Sequence, residues 1–96
     1  MGIIMSKVIL IGYIEVPSEE ISVVTEALNE HILLTRKESG CIVFKVTPHD
    51  DISGRFDVYE EFVDTAAFEF HQARVAKSDW GKVTVNVKRF YEVVYS

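Results

Sequence analysis

The chain has 96 residues, a formal net charge of −5, 48% hydrophobic residues and a single cysteine. That length holds one domain with one core, and the acidic balance offers phosphates no basic face, which argues against nucleic acid or an anionic membrane as partner. Lone Cys41 allows neither an intramolecular disulfide nor a cysteine metal cluster, and reads as a small buried hydrophobe in a reducing, cytoplasmic compartment.

The start MGIIMSKVILIGYI lacks a basic leader, and Lys7 and Glu15 interrupt its apolar run before it could span a bilayer. With a second Met at position 5, residues 1–6 are set aside as an N-terminal extension, and residues 7–96 are taken as the domain. Lys7 to Val16 is apolar at both parities and rich in Val and Ile, as in a buried strand. Pro17 stops it. Ser18 is expected to cap a helix with Glu19 and Glu20 in its first turn. Ile21, Val24, Leu28 and Ile32 then recur on one helical face to about Glu38, with Gly40 as the stop.

Cys41 to Thr47 reads as a second strand, PHDDISG as a hairpin loop, and Arg55 to Phe62 as a third strand with Phe56, Val58, Glu60 and Phe62 on one side. Asp64 is placed to cap a second helix running to about Lys77. After SDWG, alternation from Lys82 to Tyr95 predicts one long fourth strand. The order is β-α-β-β-α-β, an α+β, ferredoxin-like arrangement with an antiparallel four-stranded sheet.

In that fold two helices cover only one sheet face. The first strand is nonetheless apolar on both, and Cys41, Val43, Phe90 and Val94 fall at the opposite parity. Leaving such side chains wet forfeits roughly 1.5–3 kcal/mol each. A second copy of the same sheet, packed face to face about a two-fold axis, would cover them, so the expectation is a homodimeric α+β barrel.

Two stretches resemble the antibiotic biosynthesis monooxygenase family. ESGCIVF (Glu38 to Phe44) resembles its acidic-x-Gly-Cys-x-x-aromatic strand start, and YEEFVDTAAFEFH (Tyr59 to His71) its Tyr-Glu-x-aromatic-x-Asp-x-x-Ala-Phe-x-x-His. The resemblance implies a dimeric ferredoxin-like barrel and, for several members, cofactor-independent oxidation of phenolic, quinol or anthrone substrates by molecular oxygen. Other relatives on this scaffold degrade haem or process a phosphorylated sugar, so the fold alone does not decide the chemistry. The chain departs from the commonest pattern: Arg74 and Ala76 stand where many members carry a hydroxyl residue and a second histidine, and Phe62 where many carry Trp. The tail instead resembles a subgroup with His-x-x-Arg, Ser-x-Trp-Gly and Arg-x-Tyr signatures.

At about 100° per residue, Ala67, Phe68, His71 and Val75 share the inward stripe of the second helix. His71 there is either a core histidine bonded to a carbonyl or the acid/base of a pocket, taking a proton from a phenol or enol. Arg74, one turn on, either holds an anionic oxygen or pairs with a carboxylate. Tyr13, Tyr59, Phe62, Phe68, Trp80 and Tyr91 are the candidate aromatic contacts for a planar substrate, against the alternative of ordinary core. Trp80 is the expected cover. Glu60, if buried, needs a partner such as His71 or Arg89.

His31, His49 and His71 form no compact ligand motif with one another, so no metal is expected. A haem-degrading site would want an asparagine on the first strand, and Lys7 to Val16 has none. The sequence thus points first to a cofactor-free monooxygenase acting with oxygen on a small aromatic molecule. The alternatives are a barrel that binds a small ligand without turnover, or a purely structural dimer.

Overall fold

The computed structural model describes residues 6–96; most of the expected N-terminal extension lies outside them. Strand β1 (Val8–Glu15) pairs antiparallel with both β3 (Arg55–Phe62) and β4 (Lys88–Tyr95), and β2 (Cys41–Pro48) pairs antiparallel with β3. The sheet order is β2-β3-β1-β4, the ferredoxin-like order, with helices α1 (Ile21–Arg36) and α2 (Thr65–Ala76) as its crossovers.

Pleat parity decides what each strand buries. Even positions of β1 and β3 face the helices: Val8, Leu10 and Ile14 meet Phe56, Val58 and Phe62, all at most 4% exposed. Glu60 shares that face and is buried. Helix α1 adds Val24 and Leu28 from the expected stripe. The same stripe also buries His31 and Thr35. On α2 the inward residues are Phe68 and His71, as the periodicity predicts, and the Asp64 side chain accepts the Ala67 amide at 2.8 Å.

Several boundaries differ from expectation for local reasons. Ser18 is not a side-chain cap: Ser18–Glu20 form a 3-10 turn closed by Glu20 N–H donating to Pro17 O at 2.8 Å, and α1 starts at Ile21. Helix α1 ends at Arg36, where Glu38 N–H bonds Thr35 O at 3.0 Å and so tightens the last turn. Gly40 matters for space: a Cβ on it would lie 2.3 Å from the Ala67 Cβ, so its bareness lets α2 approach. Gly54 is the glycine that needs positive φ (85°), in the β2–β3 hairpin loop. A register shift between Cys41 and Val43 returns Cys41 to the helix side, where it packs on the core instead of joining the open face.

The largest correction concerns the fourth strand. Residues from Asp79 to Val83 form a short helix α3, and β4 begins only at Lys88. The alternating valines mislead here because local bonds close a helical turn. Ser78 caps α3 by accepting Gly81 N–H at 3.2 Å, and the Thr84 hydroxyl donates to Trp80 O at 2.6 Å. Burial of the Trp80 indole, 8% exposed, then holds the segment onto the helices.

Among the described residues nothing covers the sheet face away from the helices. Ile11, Phe90 and Val94 are 41–45% exposed there, and Phe90 stacks on Tyr13 at 4.8 Å between ring centroids. β4 is exposed along its whole length on both faces. Among the described residues no helix is long and apolar enough to cross a membrane.

Candidate functional site

A buried polar cluster lies where α1 and α2 meet the sheet. His71 comes from the inward stripe of α2, Glu38 from the turn after α1, Glu60 from the middle of β3, and His31 from α1. His71 Nδ1 is 3.0 Å from Glu38 Oε2, which also accepts from Arg74 Nε at 2.6 Å. Arg74 Nη2 donates to the Thr35 hydroxyl at 2.9 Å. A carboxylate can only accept, so Nδ1 carries the proton and Nε2 is left with its lone pair. Nε2 faces Glu60, whose nearer oxygen is 3.8 Å away, beyond hydrogen-bond range.

Electrostatics keep this cluster mostly neutral at pH 7. Burial pushes the His71 imidazole below its ordinary value, against the pull of Glu38. His31 is pushed down to about 3, first by burial and then by the charges of His71, Arg74 and Arg89. Glu60 is pushed up to about 8 by burial and then by the negative charge of Glu38. Its carboxyl is therefore protonated at neutral pH, while His71 is a neutral base held by a carboxylate behind it.

Space remains beside that imidazole. A cavity of about 130 Å³ is walled by Leu10, Val75 and Trp80 and presents His71, Glu60 and His31 to its interior, with Tyr91 and Arg89 entering from β4. An apolar void of about 150 Å³ holds benzene, so this one is on the scale of a single ring. His31 stacks on Trp80 with centroids 4.6 Å apart and planes 5° apart. That pair also belongs to the wall of an outer groove of about 300 Å³, which carries Arg74 as well.

The expected site residues divide clearly. His71, Trp80 and Tyr91 come together around the cavity. Arg74 is engaged by Glu38 and Thr35 and faces the outer groove. Phe62 and Phe68 are buried behind the imidazole, Phe62 with its ring centroid 4.9 Å from that of His71, and lie outside the cavity wall. Tyr13 and Tyr59 sit on the open sheet face: Tyr13 lies beneath the Arg55 guanidinium at 3.8 Å, and Tyr59 donates to Glu61. Glu38 and His31 belong to the cluster but are not among the expected site residues, although Glu38 opens the ESGCIVF stretch. His31 was within reach, because it follows Leu28 by three and Val24 by seven on the buried stripe. Two of the three histidines that lack a compact spacing in sequence do meet in space: the His31 and His71 ring centroids are 6.1 Å apart, while His49 bonds Asp57 at the surface. Among the described residues no group of three or more His, Cys, Asp or Glu is placed to hold a metal ion.

A small ferredoxin-like α+β domain that holds a carboxylate-backed histidine over a ring-sized cavity is the class that fold and site define together. The chain belongs to the antibiotic biosynthesis monooxygenase family, whose family model matches residues 7–81. Similar solved structures include a conserved protein of unknown function from Bacteroides thetaiotaomicron, described as a "possible oxidoreductase". It is 18% identical over 97% of this chain and 100% of that one, with a TM-score of 0.83. MupZ from Pseudomonas fluorescens is 18% identical over 97% of this chain and 70% of its own, with a TM-score of 0.77. A "putative antibiotic biosynthesis monooxygenase" from Nitrosomonas europaea is 16% identical over 100% of this chain and 93% of that one, with a TM-score of 0.78. At such identities the likeness is one of fold. No curated protein matches the chain.

Proposed function

We propose that this protein is a cofactor-independent monooxygenase that oxidises a small single-ring phenol or quinol with molecular oxygen, working as a cytoplasmic homodimer. The observation that carries the reading is the ring-sized cavity onto which His71 Nε2 opens, with Glu38 fixed on its other nitrogen. A phenol seated there gives its proton to Nε2, and Glu38 stabilises the imidazolium that forms. The electron-rich oxyanion left behind is the species able to pass electrons to oxygen. A quinol and O2 balance as a hydroxyquinone and water, with no outside reductant.

Membership of the monooxygenase family supports this direction. The uncovered apolar sheet face supports the dimer, and free Cys41 fits a reducing cytoplasm. An oxygen electrode with a panel of single-ring quinols tests the reaction: uptake is expected, and His71→Ala is expected to abolish it. Undiminished uptake in the variant would discard the role of His71. The small size of the cavity favours, as a second reading, a barrel that binds a ring without turning it over. Thermal stabilisation by the same panel with no oxygen uptake would select that reading.

A further inference from the structure

Glu60 has no function in the scheme above, yet it is one of the few acidic side chains buried in the domain. Its backbone is fixed in the middle of the sheet, paired with Leu10 on one side and Phe44 on the other. Its side chain is 8% exposed, and the nearest charged or titratable group, His71 Nε2, is beyond hydrogen-bond range at 3.8 Å. Burying a carboxyl without a partner is unfavourable, and most unfavourable when it is ionised. The charged and titratable groups around it do not relieve that cost. Arg74 is held by Glu38 and Thr35; Arg89 is held by the Thr84 hydroxyl and the carbonyls of Thr84 and Val87. Glu38 adds a like charge from the far side of the His71 ring, Tyr91 is a phenol held above its usual value, and His31 is neutral. What Glu60 does face is the cavity, across 3.8 Å from His71 Nε2.

Two polar atoms that far apart do not bond each other, but one oxygen can sit about 2.8 Å from both. We propose that Glu60 is a second catalytic group of the site, a neutral carboxylic acid whose O–H donates to the same substrate oxygen from which His71 takes the proton. The inference rests on the His71 cavity being the substrate site. It also defines the substrate class as a neutral hydroxyarene that ionises on the protein, rather than a carboxylate or phosphate. In the step, the substrate O–H bond breaks and its proton passes to His71 Nε2. The electron pair stays on the substrate oxygen, and Glu60 holds that oxyanion while keeping its own proton. A buried acid kept neutral so that it can donate is an established way to stabilise an oxyanion.

Binding of 4-fluorophenol, followed by fluorine NMR, tests this without any need for oxygen, with fluorobenzene as the hydroxyl-free control. Wild type is expected to prefer the phenol. Glu60→Leu should weaken the phenol by about tenfold and leave fluorobenzene bound as before, which also shows the cavity intact. Glu60→Gln, whose amide still donates, should stay within about threefold of wild type. Phenol affinity of wild type should fall as pH rises through about 8 and that of Glu60→Gln should not. Equal phenol affinity in Glu60→Leu and wild type would overturn the proposal while leaving the cavity as the site. A loss in Glu60→Gln as large as in Glu60→Leu would overturn it by making the ionised carboxylate the active form. Failure of wild type to bind either probe would remove the His71 site itself, and the proposal with it.

Discussion

His31, Glu60 and His71 are buried within one cluster, and their protonation ties the stability of the domain to pH in opposite directions. Glu60 is held up at about 8 from an ordinary 4.5, so between those values the folded chain binds more protons than the unfolded one. Its contribution is fully present below 4.5 and is lost as pH rises towards 8. His31 is held down at about 3 from 6.5, so the folded chain binds fewer protons in that window. Its contribution is present above 6.5 and is lost as pH falls towards 3, and His71 acts in the same direction. Glu60→Gln is therefore expected to melt above wild type by a margin that widens from pH 5 to pH 8 and then levels off. Thermal melts across that range measure it; parallel curves would show that Glu60 does not carry the linkage. At this scale the sequence was legible wherever one periodic face decided burial. His71 and Glu60 both followed from parity or helical spacing. The aromatic candidates did not, because they pooled odd and even strand positions: if Glu60 points inward, neighbouring Tyr59 must point outward. Glu38 lies past the end of α1, where periodicity carries no information, and only the close approach of α2 brings it to His71.

Among the elements, α3 is where pattern and structure part. Val83, Val85 and Val87 alternate as a strand would, yet Val85 is 75% exposed and Val87 is buried on a turn. A capping serine and one large indole outweigh three weakly placed valines, and a pattern of apolar residues does not register either. Close approach is built in as well: a Cβ on Gly81 would come within 2.5 Å of the Val75 carbonyl oxygen, so α3 rests directly on the end of α2. The helix thereby carries Trp80 into the wall shared by the 130 Å³ cavity and the 300 Å³ groove. Trp80→Ala removes the stack on His31 and joins those spaces. It is expected to cost about 3–5 kcal/mol in denaturant unfolding and to let a two-ring phenol such as 2-naphthol bind, where wild type is expected to accept only one ring. Binding of 2-naphthol that is the same in both proteins would mean that Trp80 does not set the size limit. By contrast, the elements with strong signals kept their expected identity, including α2 with its Asp64 cap and the β3 strand.

For the whole molecule, the proposed dimer and the proposed site are linked through β4. Among the described residues that strand is joined to the sheet only by β1, exposes all of its residues, and supplies Arg89 and Tyr91 to the cavity. Its other face presents Phe90 and Val94 beside Ile11, an apolar patch that an isolated chain would leave in water. A second sheet over this patch would bury these side chains and hold β4 in place, so ring binding should strengthen as the chain associates. Light scattering at micromolar concentration should then give twice the mass of one chain. Ile11→Lys places a charge in the centre of the patch, where burial is prohibitive, and should yield a folded monomer. The His71 cluster lies on the opposite sheet face and is untouched by the substitution, so any loss of 4-fluorophenol affinity in that monomer measures how far the partner steadies β4. A wild-type chain that scatters as a monomer at every concentration would refute the dimer. An Ile11→Lys monomer that binds the phenol as tightly as the wild-type dimer would refute the link between assembly and site.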